Sequence, residues 1–283
     1  MRAETFDARA CVLGEGPLWH PERAQLFWFD IMRKQLLSQR DGAEKTWQFD
    51  RHVSAAGWID AEQLLIATER GLIQFNVETG AAIHIEDLEA DNPITRSNDG
   101  RADPQGGFWI GTMGKQAEQD AGAIYRFYCG ELRQLFAPIT IPNAICFAQT
   151  GDSAYFADTA ANTVWKVGLD AKGWPQGAPE VFVDLSGEGL HPDGAVVDAA
   201  GRMWMAQWGA GRVACYGPSG DFIEEVAVPG LHASCPAFGG VDFGELYVTT
   251  ARQGRGGAVT EQDGQTYRAK VSARGLAEHR VLL

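Results

Sequence analysis

Leu26-Phe27-Trp28-Phe29-Asp30 is an apolar run closed by a carboxylate, and the same phrase returns five more times along the chain. The later copies are Leu64 to Thr68 (LLIAT), Phe108 to Thr112 (FWIGT), Ala154 to Asp158 (AYFAD), Met203 to Gln207 (MWMAQ) and Leu246 to Thr250 (LYVTT), with starts 38 to 49 residues apart. Turns rich in Asp, Gly or Pro precede them, such as Asp103-Pro104-Gln105-Gly106-Gly107, where glycine supplies positive φ and proline presets φ. After several copies comes a strand that alternates polar and apolar residues, as in Gly71 to Phe75, Ala123 to Phe127 and Thr163 to Val167. This is the period of a four-stranded propeller blade, and the near absence of a 3.6-residue pattern predicts little helix. The expectation is an all-β, six-bladed β-propeller in which residues 1–283 form a single domain. Strand-like segments at Ala3 to Val12, Gln265 to Val271 and His279 to Leu283 predict that the two termini share a blade, which hides the sheet edges.

Composition narrows the function classes. The 34 glycines of 283 residues suit a fold with many tight turns. A formal charge of −13 argues against a nucleic-acid or anionic-membrane partner, which would require a basic stripe. Met1 to Asp7 lacks the apolar core of a signal peptide and no apolar run reaches membrane-spanning length, so a cytoplasmic location is expected. Cys11, Cys129, Cys146, Cys215 and Cys235 are odd in number with no C-x-x-C spacing, which suggests neither disulfides nor a thiolate zinc site. Oligomeric state has no readable signal.

A propeller packs the first strand of each blade against a central channel, so the residue just before that strand faces the channel mouth. Counting back about ten to twelve residues from the aromatic of each repeat reaches Glu15 in blade 1, Asn98 and Asp99 in blade 3, Asn143 in blade 4 and Asp193 in blade 5. Blades 2 and 6 offer neutral residues, near Ala55 to Gly57 and Cys235 to Ala237. Taken singly, Asp or Asn before Gly is an ordinary turn residue. Four blades placing such side chains at one register is a different matter, because converging anions near an axis are costly to bury unless a cation sits between them. Oxygen donors without histidine suit Ca²⁺, Mg²⁺ or Mn²⁺, and carboxylates also bind Zn²⁺ or Fe²⁺.

Other chemistry finds no support. There is no G-x-x-x-x-G-K-[ST], H-E-x-x-H or G-x-S-x-G. Among the histidines only His191, two residues from Asp193, is a candidate for substrate contact. Trp19, Trp208 and Phe108 could stack on a sugar, but with nine tryptophans in the chain these aromatics read first as blade packing.

The segments Gly14-Glu15-Gly16-Pro17-Leu18-Trp19-His20, Asn98-Asp99-Gly100, Pro142-Asn143 and Pro192-Asp193-Gly194, in this order on six blades, resemble the family of senescence marker protein 30, gluconolactonase and luciferin-regenerating enzyme. The resemblance covers essentially the whole chain. It implies a sugar-lactone hydrolase with one divalent metal at the channel mouth. Glu15, Asn143 and Asp193 match the family's metal ligands, with Asp193 also the general base. Arg96 and Asn98 match positions that contact sugar hydroxyls. Glu118, ahead of Gly122-Ala123-Ile124-Tyr125, stands for a further substrate-binding glutamate, with Asp120 as the alternative in the same loop.

Those residue types also make chemical sense unaided. Lactone hydrolysis builds negative charge on a carbonyl oxygen, which a Lewis acid stabilises, and water needs a base. The competing expectation is a non-catalytic calcium-binding or protein-interaction propeller, because the fold alone does not set function. The choice among sugar lactones and among metals rests on loop shape and geometry.

Overall fold

The computed structural model describes residues 1–283 and contains six four-stranded antiparallel sheets. The innermost strands are Gly14–His20, Val53–Trp58, Thr95–Ala102, Pro142–Phe147, His191–Val197 and His232–Gly239. Each contacts the next, and the last returns to the first, so the six enclose a channel. Helix is confined to three short 3₁₀ turns at Thr159–Ala161, Ser186–Glu188 and Gly256–Ala258. None is long and apolar enough to cross a membrane.

All six repeats fall in the second strand of their blades, and burial explains their composition. A second strand is sandwiched between two neighbouring blades, so both of its faces are covered and successive residues can all be apolar. In blade 1, Phe27 and Phe29 join a core shared with Leu64 and Ile66 of blade 2, while Leu26 and Trp28 join Trp19 and Tyr247 across the seam with blade 6. The same division recurs in blade 2, where Leu65 and Ala67 meet Phe108 and Ile110 of blade 3. Fully burying each such aromatic stabilises by about 1.5–3 kcal/mol. Outermost strands face solvent, as at Ala43–Gln48, whose residues are exposed except Trp47.

Ring closure follows the sequence expectation in a shorter form. Glu4–Asp7 forms the outer strand of blade 6, antiparallel to Thr266–Lys270. Met1 to Ala3 continue onto blade 5, where Ala3 N donates to Ala227 O at 2.9 Å and Ala227 N to Met1 O at 2.8 Å. His279 to Leu283 do not form the expected strand. Only Arg280 makes a bridge, to Trp58, because this segment crosses the end of the channel instead of running along a blade. It is tied down by Val281 N to Trp58 O and Leu282 N to Gly106 O, both 2.8 Å.

Candidate functional site

Every innermost strand carries a β-bulge at the same level. The pairing slips between Glu15 and Leu18, Val53 and Ala55, Ser97 and Gly100, Asn143 and Cys146, Pro192 and Ala195, and Ala233 and Cys235. A bulge sets two residues against one and breaks the alternation of side chains, which lets polar groups converge on the channel mouth. The ring residues therefore lie within the first strands and not ahead of them, as the sequence had suggested. In blades 2 and 6 the bulge residues are Ser54 and Ser234, whose hydroxyls are spent on Ser97 Oγ at 2.8 Å and Gly14 O at 2.5 Å.

Backbone constraints hold this ring. Gly16 has φ +52°, and a Cβ there would lie 2.3 Å from Ser54 O. A Cβ at Gly194 would lie 2.2 Å from Cys235 Sγ, so Asp193 is followed by the one residue that lets blades 5 and 6 approach. Ala144, directly after Asn143, takes φ +52° without being glycine, a strain found where surrounding structure over-determines the backbone.

The structure brings Glu15, Arg96, Asn98, Asn143, His191 and Asp193 together on the wall of one cavity of about 380 Å³. A directed chain of hydrogen bonds crosses three blades. Arg96 Nη1 donates to Ser97 O at 2.8 Å and Asn98 Oδ1 at 2.9 Å. Asn98 Nδ2 donates to Pro142 O at 3.0 Å and Asn143 Oδ1 at 3.1 Å. Asn143 Nδ2 donates to Thr159 Oγ1 at 2.7 Å, and Thr159 Oγ1 donates to Pro192 O at 2.7 Å. Counting valences, Asn98 retains one acceptor lone pair and Arg96 retains its Nε–H and both Nη2 hydrogens.

Charge at this mouth is not balanced by ion pairs. Glu15 and Asp193 are buried, 7% and 4% exposed, and neither touches a lysine or arginine; Glu15 Oε2 accepts only the Gly16 N–H at 3.0 Å. Burial, with the Asp99 charge added, pushes the Glu15 carboxyl up to about 8. Burial, then Glu15 and Asp99, push Asp193 well above the usual carboxylate range. Arg96 is the cation whose charge acts on Glu15, and burial pulls it down to about 10. Asp99 turns away from the cavity, accepting the Ile145 N–H at 2.8 Å across the bulge of blade 4. The chain has no group of three or more His, Cys, Asp or Glu side chains placed to hold a metal. Glu15, Asp193 and Asn143 nonetheless line this one cavity and offer only oxygen donors, which, once both carboxyls are deprotonated, is the ligand chemistry of a hard divalent cation.

Glu118 and Asp120 lie in the rim loop and do not line the cavity. The Glu118 carboxylate accepts the Gln116 N–H at 2.9 Å, and the Asp120 carboxylate accepts from Gln119 Nε2 at 3.3 Å. His191 sits at the mouth, its Nδ1 receiving the Asn162 amide at 2.7 Å in the orientation that also satisfies Thr159 O and Leu190 O. Of the three aromatics weighed as stacking platforms, Trp208 alone reaches the cavity, held by His232 stacked 4.2 Å away. Trp19 stacks on Tyr247 and Phe108 is fully buried between blades. Sequence reasoning named neither Met113 nor Thr159, and it weighed Trp208 but read it first as blade packing. A usable signal existed, because each is the residue immediately after a repeat copy, and second strands run antiparallel to first strands and so end at the same mouth.

A six-bladed propeller with an acidic pocket at one channel mouth defines a class that comparison with known proteins identifies. The SMP-30/Gluconolactonase/LRE-like region matches residues 13–252, and the chain belongs to that family. A Rhizobium meliloti protein named as a sugar lactone lactonase is 39% identical over 97% of this chain and 95% of its own. The L-arabinolactonase of Azospirillum brasilense is 35% identical over 86% of this chain and 82% of its own. Among solved structures, a calcium-binding protein, regucalcin, from Agrobacterium tumefaciens superposes with a TM-score of 0.97 at 38% identity, covering 99% of this chain and 97% of that one.

Proposed function

We propose that the protein is a divalent-metal-dependent hydrolase that opens a sugar aldonolactone to its aldonic acid. The observation that carries this reading is that two buried carboxyl groups without an ion-pair partner and an arginine with three N–H groups to spare lie on one cavity wall. Relatives named as sugar lactone lactonase and L-arabinolactonase support the substrate class. The likeness to a calcium-binding regucalcin supports a divalent cation. Glu15, Asn143 and Asp193 would hold it, and when bound it supplies Lewis-acid stabilisation of the charge that develops on the lactone carbonyl oxygen.

The chain's own residues account for the remaining tasks. Asp193, which would be a carboxylate once the cation has displaced its proton, accepts a proton from the attacking water as the water oxygen bonds to the carbonyl carbon, then returns it to the ring oxygen as the ring C–O bond breaks. Arg96 donates to substrate oxygens through Nε and Nη2, while Asn98 accepts from one hydroxyl through its remaining lone pair, fixing the ring near the base. Glu118 would join them only if the rim loop from Gly114 to Ala121 turned its carboxylate inward. Trp208 gives the sugar an apolar wall. Hydrolysis of an aldonolactone panel by purified protein, with and without chelator, tests the reading: turnover abolished by chelator is expected. A protein that binds cation and hydrolyses no lactone would leave the calcium-binding, non-catalytic reading in its place.

A further inference from the structure

The Thr159 hydroxyl sits between two groups of opposite capability. Its partner Pro192 O, 2.7 Å away, is a carbonyl and can only accept, so the single hydroxyl proton must go there. The oxygen of Thr159 is then left as an acceptor, and it can be matched only by the nitrogen end of the Asn143 carboxamide, also at 2.7 Å. At the other end of the chain, both hydrogens of Asn98 Nδ2 point outward to Pro142 O and Asn143, and Arg96 fills one lone pair of Asn98 Oδ1. Every link is therefore directed, and a reversed Asn143 amide would set nitrogen against nitrogen at Asn98 and oxygen against a committed hydroxyl oxygen at Thr159. The two blades on either side of Asn143 thus specify which of its ends is oxygen.

We propose that Thr159 is a positioning residue that locks the Asn143 carboxamide with Oδ1 toward Asn98, and so keeps an oxygen lone pair free on the cavity wall for a cation. This rests on the metal reading given above for its consequence, though not for the lock itself. The lock needs the hydroxyl and not the methyl group. Thr159 is half-buried and stands just past the strand Ser153–Asp158, so replacing the hydroxyl by a methyl keeps the side chain's size and removes, besides the acceptor for Asn143, only the donor to Pro192 O.

The first measurement follows the Asn143 side-chain amide by NMR in isotope-labelled, chelator-treated protein, assigned by its loss in Asn143→Asp. Slow hydrogen exchange is expected in wild type and Thr159→Ser, and fast exchange in Thr159→Val. Should Thr159→Val fail to fold, Thr159→Ala deletes the same hydroxyl and carries the same test. The second measurement titrates Ca²⁺ and Mn²⁺ separately, with an affinity loss of about 10-fold or more expected in Thr159→Val and rescue in Thr159→Ser, the usual effect of removing a group that orients a ligand. Wild-type-like amide exchange in Thr159→Val overturns the proposal, as does unchanged cation affinity in a variant whose amide has been freed. A wild type that binds neither cation refutes the metal reading, and the exchange rates still decide the lock.

Discussion

The two mouths of the channel are built from the same six strands and solve the burial of charge in opposite ways. At the far mouth Arg101 and Glu278 are both buried, their side chains 9% and 8% exposed, and they pair with each other. Burial works against the Arg101 charge, yet Glu278, with Asp99, outweighs it and holds the guanidinium above its ordinary value. The C-terminal segment delivers Glu278 across the channel end, anchored by Trp58 Nε1 to Glu278 O at 2.7 Å. At the near mouth Glu15 and Asp193 have no such partner, and the strands open into a cavity. A chain able to neutralise one end internally but leaving the other acidic has a closure at one end and, at the other, the pocket that we propose receives a cation.

Substitutions at each end should separate these roles. Asp193→Asn keeps an oxygen ligand but removes charge and basicity, so turnover should fall by about 10² or more while a cation still binds more weakly. Near-normal turnover in the cation-loaded variant would move the base elsewhere. Glu278→Gln leaves Arg101 buried without its counter-charge and should cost about 3 kcal/mol in denaturant unfolding, with kcat per folded molecule unchanged. A fall in kcat would mean that the two mouths are coupled.

Acid and base conditions sharpen the contrast. The folded-state pKa of Glu15 is raised from 4.5 to about 8, so its protonated form is favoured by folding. In chelated protein that stability is fully present below about pH 4.5 and is lost as pH rises through about 8, so melting temperature should decline across this window. Saturating cation should reverse the trend, because it competes with protons for the same carboxylates. A chelated protein whose melting temperature climbs over that range would contradict the burial of unpaired charge. The smallest effect is expected at Asn98→Ala, which should raise KM with a lesser fall in kcat if its hydroxyl contact is equally strong in ground and transition states.

The blades were readable because sandwiched second strands must be apolar on both faces, which makes LFWFD and FWIGT conspicuous wherever they recur. The ring of Glu15, Asn98, Asn143 and Asp193 was readable because a fixed offset from those strands reaches one level of the channel. What stayed hidden was the bulge. Sequence alternation cannot show that Asn98 turns into the cavity while adjacent Asp99 turns to Ile145 N, since that depends on two residues opposing Gly111 alone. Thr159 and Trp208 were obscured for another reason: a hydroxyl or an indole has many structural uses, and only the third dimension assigns one. The apolar ends of Val281 to Leu283 read as a strand, although their hydrogen bonds go singly to blades 2 and 3.

Calorimetric titration of a divalent cation into chelator-stripped protein near pH 7 tests the central claim most directly. One site per chain is expected, with protons released on binding because Glu15, raised to about 8, holds a proton until the cation displaces it. Glu15→Gln should bind markedly more weakly and release fewer protons. Absence of binding to wild type, or unchanged affinity in Glu15→Gln, would contradict a cation site at the near mouth.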